Sequence, residues 1–276
     1  MEYADLHIHT TASDGILSPE QVIWWAAKKQ LKAISITDHD TINGVAEALL
    51  INKQNNDIEI VPGIELNSYF NGEEVHVLGY YIDITDEAFL NKLKEIQDSR
   101  YNRALKIIKK LNMLNISISV DQVLSISKGD SVGRPHIARA LVKNGYAKDV
   151  KDAFNRYLAK DCPAYVERYK LTTKQAIETI NNIKGIPVLA HPGLLNNKAI
   201  INELLDLGFR GIEVYHSKHD ESAVNRFLKI ALEKDLLITG GSDCHGKLID
   251  GKPELGNATI DHGKFIELKK AAISKN

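Results

Sequence analysis

The stretch Tyr3–Gly15, Y-A-D-L-H-I-H-T-T-A-S-D-G, decides the reading of the chain. As a strand it puts Ala4, Leu6 and Ile8 on one face and Asp5, His7 and His9 on the other. Two imidazoles two residues apart then project the same way, about 6–7 Å apart at the usual strand rise. That spacing suits two ligands of one metal, and Asp14 follows on the loop where the strand ends. An H-x-H pair alone is weak evidence, because two packed core histidines give the same pattern. The other strand ends have to decide.

A chain of 276 residues, 43% hydrophobic and 26% charged, can bury a substantial core as one large α/β domain or two small ones. No apolar run approaches the length of a membrane span, and no basic-then-apolar leader precedes Tyr3, so neither a membrane partner nor secretion is expected. Two cysteines, Cys162 and Cys244, make no disulfide framework and fit a reducing cytoplasm. The net charge of −1 is unevenly spread. From Lys92 to Lys160 there are 15 Lys/Arg against 6 Asp/Glu, leaving 20 against 30 elsewhere. A basic segment over an acidic body fits a cationic lid for an anionic substrate, or a solvated helical surface; the overall charge argues against duplex DNA as a partner.

Outward from the first strand, Ser18-Pro19-Glu20 starts a helix to about Gln30, with Trp24 and Trp25 expected in the core. The strand Ala33–Thr37 runs into T-D-H-D-T, a helix covers Asn43–Asn55, and Ile58–Asn67 is the next strand, with Val75–Ile82 after it. This β-α-β-α-β alternation predicts a parallel sheet, open or closed into a barrel. A long helix, Asp86–Leu114, and shorter pieces near 120–127, 136–143 and 149–158 carry no convincing strand. The expected division is therefore a barrel at 1–90 and 162–276, with a basic helical insertion at 91–161. Alternation resumes with a helix from Thr173, capped by Thr172, and strands Ile186–Ala190, Gly211–Tyr215 and Leu236–Thr239. A last helix spans about Lys264–Ser274.

Chemistry in α/β sheets and barrels sits at the carboxyl ends of the strands. His7, His9, His39, His191 and His245 fall at or just past such ends, and His76 near the start of another strand. Asp14, Glu65 and Asp243 join them. Nine such ligands exceed one ion's needs and predict two or three divalent cations sharing a bridging carboxylate. Such a cluster activates water and clamps the oxygens of a phosphoryl displacement. Mixed imidazole and carboxylate ligation suits Mn, Zn or Fe, with Mn preferred. Cys244, of opposite parity to its neighbours, is expected to pack away from the metals.

D-L-H-I-H-T with S-D-G, I-T-D-H-D-T, G-I-E, H-V-L-G-Y, G-R-P-H-I-A, A-H-P-G, E-V-Y-H-S and G-G-S-D-C-H-G together resemble the PHP (polymerase and histidinol phosphatase) family. The resemblance covers nearly the whole chain in order. It implies a distorted seven-stranded β/α barrel holding three metals. It is strongest to the stand-alone branch with a helical insertion, which hydrolyses nucleoside 3′,5′-bisphosphates and trims short RNAs from the 5′ end. It implies that His7, His9, Glu65 and Asp243 hold one metal, that Glu65 bridges to a second held by His76 and His191, and that Asp14, His39 and His245 hold the third. Asp14, His39, Glu65, Asp243 and His245 are then the catalytic set.

Arg134 and His136, in G-R-P-H at a helix start, are expected to bind substrate phosphate. His216 joins them only if its strand ends in a bulge, since its parity opposes Glu213. Asp38 and Asp40 are candidate partners for the imidazoles, with helix capping an alternative for Asp40. His219 and His262 are expected on the surface. The expected activity is hydrolysis of the 3′-phosphate of a nucleoside 3′,5′-bisphosphate, and of short oligonucleotides from the 5′ end. Histidinol phosphate or another small monoester is the alternative substrate, and a non-catalytic module the alternative class.

Overall fold

The apolar runs at 3–8, 33–36 and 59–62 lie side by side as parallel strands, with Ala4 opposite Ala33 and Ala33 opposite Glu59. In the computed structural model, which describes residues 2–53, 58–127, 129, 131–167 and 171–274, these are β1 (Tyr3–Ile8), β2 (Ala33–Ile36) and the start of β3 (Glu59–Phe70). Helices α1 (Pro19–Lys28) and α2 (Asn43–Asn52) are the crossovers. A capping box between Ser18 and Gln21 starts α1, with Pro19 in its first turn.

The expectation of a wholly parallel sheet is corrected at β4 (Glu73–Tyr80). It returns antiparallel along β3, with Phe70 opposite Glu73 and Gly63 opposite Tyr80. The hairpin turn is Asn71-Gly72, both at positive φ, the left-handed pair that suits the twist of two antiparallel strands. β5 (Ile186–Leu189) pairs antiparallel with β4, and β6 (Gly211–His216) and β7 (Leu237–Gly241) follow in parallel. The barrel closes where Asp243 N–H donates to His7 O at 2.8 Å and His9 N–H to Cys244 O at 3.0 Å. Beyond β7 lie a small hairpin, β8 (Leu248–Ile249) with β9 (Lys252–Pro253), and β10 (Ile260–Asp261). β10 pairs with Tyr3 and Ala4, so among the described residues the sheet has eight strands rather than the expected seven.

Helices α7 (Thr173–Asn182), α8 (Ile201–Leu205), α9 (Glu221–Glu233) and α10 (His262–Ile273) complete the barrel. Between β4 and α7 come α3 (Glu87–Met113), α4 (Val120–Ser127), α5 (Arg134–Lys143) and α6 (Val150–Ala153), the last continuing as a π turn, Phe154–Leu158. This segment has an apolar cluster of its own around Ile107, Leu111, Ile137, Leu141 and Leu158. Residue 91, the expected division, falls inside α3. The first turns of that helix (Phe89, Leu93, Ile96) pack in the barrel core, and its later turns (Ala104, Ile107, Leu111) in the helical cluster.

Trp24 is the other correction. Val22 and Ala26 face the core, and a residue midway between them on a 3.6-residue helix faces outward, so Trp24 is exposed against Trp25 and Lys28. Among the described residues, no helix is long and apolar enough to cross a membrane.

Candidate metal centre

The barrel's open end gathers all nine sequence-predicted ligands. β1 delivers His7 and His9 side by side. β3 runs past its last pairing with β2, at Pro62, so Glu65 projects from mid-strand beside the His39 turn, with which it makes a bridge. Because β4 is antiparallel, its early residue His76 arrives at the same end as the other strands' C-termini. His191 and Asp243 follow β5 and β7 at φ 27° and 54°, a left-handed conformation that non-glycine residues keep only when their surroundings enforce it. Gly241 lets β7 approach β1: a Cβ there would lie 2.3 Å from His7 N and 2.4 Å from His7 Cβ.

The nine side chains fall into four overlapping sets that could each hold a cation, and the shortest distances compare with the expected three groups as follows. His7 Nε2 lies 3.5 Å from Glu65 Oε2 and 3.6 Å from Asp243 Oδ1, and His9 Nε2 lies 3.2 Å from each of the same oxygens. The other Glu65 oxygen, Oε1, lies 2.8 Å from His76 Nδ1 and 3.1 Å from His191 Nε2. Asp14 Oδ1 lies 3.2 Å from His245 Nε2, and Asp14 Oδ2 lies 4.0 Å from His39 Nε2. Donors bound at about 2.1 Å around one cation stand about 3.0–3.4 Å apart, and the first two groups, at 2.8–3.6 Å, bracket that spacing. His39 stands between groups, its Nδ1 2.9 Å from Glu65 Oε2.

The donor chemistry fits divalent cations. His7 Nε2, both ring nitrogens of His9, Asp14 Oδ1 and Glu65 Oε2 are buried without a hydrogen-bond partner, an expensive state for the bare protein. Burial opposes ionisation of Asp14, Glu65 and Asp243, but the surrounding imidazoles outweigh it and hold all three well below the usual carboxylate range. Burial likewise opposes a charge on His7, and Glu213, Glu65 and Asp243 overcome it, pushing His7 well above its ordinary value. His9, against burial, is raised to about 10 by Asp243 and Glu65. Carboxylates this closely packed call for positive charge among them. Solvent enters at His245, whose side chain is 34% exposed against 0% for His7 and His9.

A second layer holds these ligands. Glu213, fully buried on β6, faces His7 Nδ1 at 3.0 Å and accepts the His191 N–H at 2.7 Å. Sequence reasoning assigned it no role; its signal was an ionisable residue of inward parity on a buried strand. Asp40 does not cap α2, whose N-cap is Ile42. Its carboxylate accepts from Arg100 Nε at 2.7 Å and from Asn67 Nδ2 at 3.0 Å, and Asn67 Nδ2 lies 3.3 Å from His39 Nδ1. Asp38 orders the β1–α1 loop instead of an imidazole, accepting from Thr10 and Ser13. Asp5 ties that strand to the β7 tail by accepting from Ser242 and Gly256. Cys244 is buried in the core.

The β6–β7 register shifts between Glu213 and Tyr215, the bulge that turns His216 inward, and its Nε2 lies 3.3 Å from Asp243 Oδ2. Lys218 N–H donates to His216 Nδ1, so the ring proton is on Nε2, facing the pocket. His219 is not a plain surface residue: its ring lies tilted against His216 at 5.1 Å and accepts the Gly193 N–H. His262 is exposed, beside Glu2. Arg134 lines a cleft of about 390 Å³ with Tyr69, Lys160, Tyr165 and Asn196. Its guanidinium donates to Leu158 O at 3.3 Å, at the end of the π turn, and lies 3.7 Å from Glu74, whose other oxygen meets His76 Nε2 at 3.1 Å. His136 stands apart from the open floor. It is 1% exposed and accepts the Gly133 N–H, and burial lowers it to about 4.

Comparison with known proteins identifies the family and the fold. The sequence profile of the PHP domain matches residues 5–167. The 5'-3' exoribonuclease Rnm of Escherichia coli is 32% identical over 247 residues, 87% of this chain and 84% of that protein. The 3',5'-nucleoside bisphosphate phosphatase of Chromobacterium violaceum is 32% identical over 251 residues, 89% and 88% of the two chains. The crystal structure of a Bifidobacterium adolescentis protein, assigned as a metal-dependent phosphoesterase, superposes with a TM-score of 0.87 at 28% identity over 97% of this chain and 96% of that one.

Proposed function

The chain belongs to the PHP domain family and is a metal-dependent phosphoesterase, and from that premise we propose that it removes the 3′-phosphate of nucleoside 3′,5′-bisphosphates and accepts the 5′ end of short RNA. The observation that carries this reading is the convergence of nine buried or half-buried histidine and carboxylate side chains, five of whose atoms, on His7, His9, Asp14 and Glu65, are buried with no hydrogen-bond partner. Divalent cations bound there supply an electrophilic clamp for phosphoryl oxygens and lower the pKa of water. His7, His9, Glu65 and Asp243 form one position, Glu65 with His76 and His191 a second, and Asp14, His39 and His245 a third. Manganese is the proposed ion, with zinc and iron suited to the same donors. Two unpaired thiols support a cytoplasmic setting.

The chain's own residues orient the substrate. His216 presents its Nε2 proton beside Asp243, where a phosphoryl oxygen of the scissile group would accept it. Arg134, held across the faces of Phe154 and Tyr165, offers the second phosphate a planar donor, with Lys160 in the same cleft. His136 fixes the start of α5, which carries Arg134. The helical segment from the later turns of α3 to the π turn thereby acts as a substrate-binding lid over the barrel.

Phosphate release from adenosine 3′,5′-bisphosphate, histidinol phosphate and an aryl phosphate, compared by kcat/KM with Mn²⁺ present, tests the assignment. Preference for the bisphosphate, leaving adenosine 5′-phosphate, is expected. A preference for histidinol phosphate would overturn the substrate while keeping the phosphoesterase.

A further inference from the structure

Two arginines of the helical segment, Arg100 and Arg139, contact the connections that carry His39 and Asp14. α3 is continuous between the two apolar clusters, and at the crossing Gln97 and Arg100, one turn apart, face the turn after β2. Arg100 donates from Nε to Asp40 Oδ2 at 2.7 Å and from Nη2 to the same oxygen, while Gln97 Nε2 donates to the Asp40 carbonyl at 3.1 Å. Asp40 is 2% exposed, holds φ at 54°, follows His39 directly and gives its N–H to Glu65 O at 3.0 Å. The grip on Asp40 is therefore a grip on the backbone that carries His39.

α5 makes the second contact. Arg139 Nη2 donates to the carbonyl of Asp14, the next ligand of the same group. His136 lies one turn earlier on that face, buried near Asp14. The approach is close at Gly129 too, where a Cβ would meet Ala12 O at 2.2 Å. Asp14 and His39 are half of the His9–Asp14–His39–His245 group. Asp14 sits on the loop after β1, outside the strand ladders, and His39 past the end of β2, held there by a single bridge to Glu65.

We propose that Arg100 and Arg139 are positioning residues for this group, so that it takes its cation only when the helical segment is docked. The proposal rests on reading the group as a metal position. Arginine is suited to such positioning because it stays charged and brings several donors in a fixed plane. One side chain can then fix a carboxylate or a carbonyl in direction as well as distance.

The test is Mn²⁺ binding by equilibrium dialysis with elemental analysis, on wild type, His245→Ala, Arg139→Met, Arg139→Lys, Arg100→Met and the exposed control Arg156→Met. Unfolding of each metal-free variant is followed alongside. His245→Ala should lose one equivalent. Arg139→Met and Arg100→Met should weaken that same equivalent about 10–100-fold, the usual cost of losing a residue that orients ligands, and spare the others. Arg139→Lys should recover part of the loss and Arg156→Met should bind as wild type. Wild-type affinity in both methionine variants would overturn the coupling. So would equal weakening of every equivalent, or collapse of both metal-free variants, which would make the arginines general supports of the fold. Unchanged metal content in His245→Ala would remove the group as a metal position, and the coupling with it.

Discussion

Replacing Glu213 with glutamine tests how far the layer behind the ligands sets metal affinity. The carboxylate spans two donors, His7 Nδ1 at 3.0 Å and His191 N–H at 2.7 Å, and nothing of it reaches solvent. Glutamine keeps the shape but offers one oxygen, so one of the two donors loses its acceptor, a cost of about 1–3 kcal/mol. It also removes a negative charge that helps hold the His7 proton on Nδ1 and leaves Nε2 free for a cation. Losing such a partner weakens binding about 10–100-fold, or about 1.4–2.7 kcal/mol. At a Mn²⁺ concentration near 100 times the wild-type Kd, one ion adds about 2.7 kcal/mol to stability. The same concentration is only about 1–10 times the variant's Kd, and the gain shrinks to roughly 0.4–1.4 kcal/mol. Urea denaturation with and without Mn²⁺ reads this difference. The metal-dependent increment is the right quantity, because in the metal-free protein the lost acceptor and the relieved crowding of carboxylates act in opposite directions. An increment equal to that of wild type would refute the argument that Glu213 orients His7 for metal binding.

Other outcomes follow from the same geometry. Arg134→Ala should raise KM for adenosine 3′,5′-bisphosphate far more than for an aryl phosphate; equal effects would remove Arg134 from recognition of the second phosphate. Gly241→Ala should destabilise the fold by about 1–3 kcal/mol or more, since the new Cβ lands on the backbone and Cβ of His7, and a wild-type urea midpoint would contradict the close β1–β7 approach. Chelation should lower the thermal midpoint of wild type by more than that of His7→Ala/Asp243→Ala, which lacks one of the three positions, as followed by circular dichroism; an equal drop in both would place the stabilising ions elsewhere.

The candidate site was legible because its parts obey local rules. Strand parity pointed His7 with His9 and Asp243 with His245, and all four converge. His216 depended on a bulge that parity could only pose as a condition, and the register shift beyond Glu213 supplies it. The antiparallel β4 was missed although Asn71-Gly72 between β-forming runs is a hairpin signal; reading it would have explained why His76 lies early in its strand. The contacts of Arg100 with Asp40 and of Arg139 with Asp14 span 60 and 125 residues, and no local pattern encodes them. His136 and Trp24 show the converse: a polar residue in a phosphate-like motif is buried, and a tryptophan faces water, because helix packing decides which side of a turn is covered.

The most direct test is phosphate release from adenosine 3′,5′-bisphosphate by chelator-stripped protein titrated with Mn²⁺, run beside Asp243→Ala. The nine-ligand centre predicts no release from the stripped protein, recovery as Mn²⁺ is added, and no recovery in the variant. Release that persists after stripping, or that survives loss of Asp243, would contradict it.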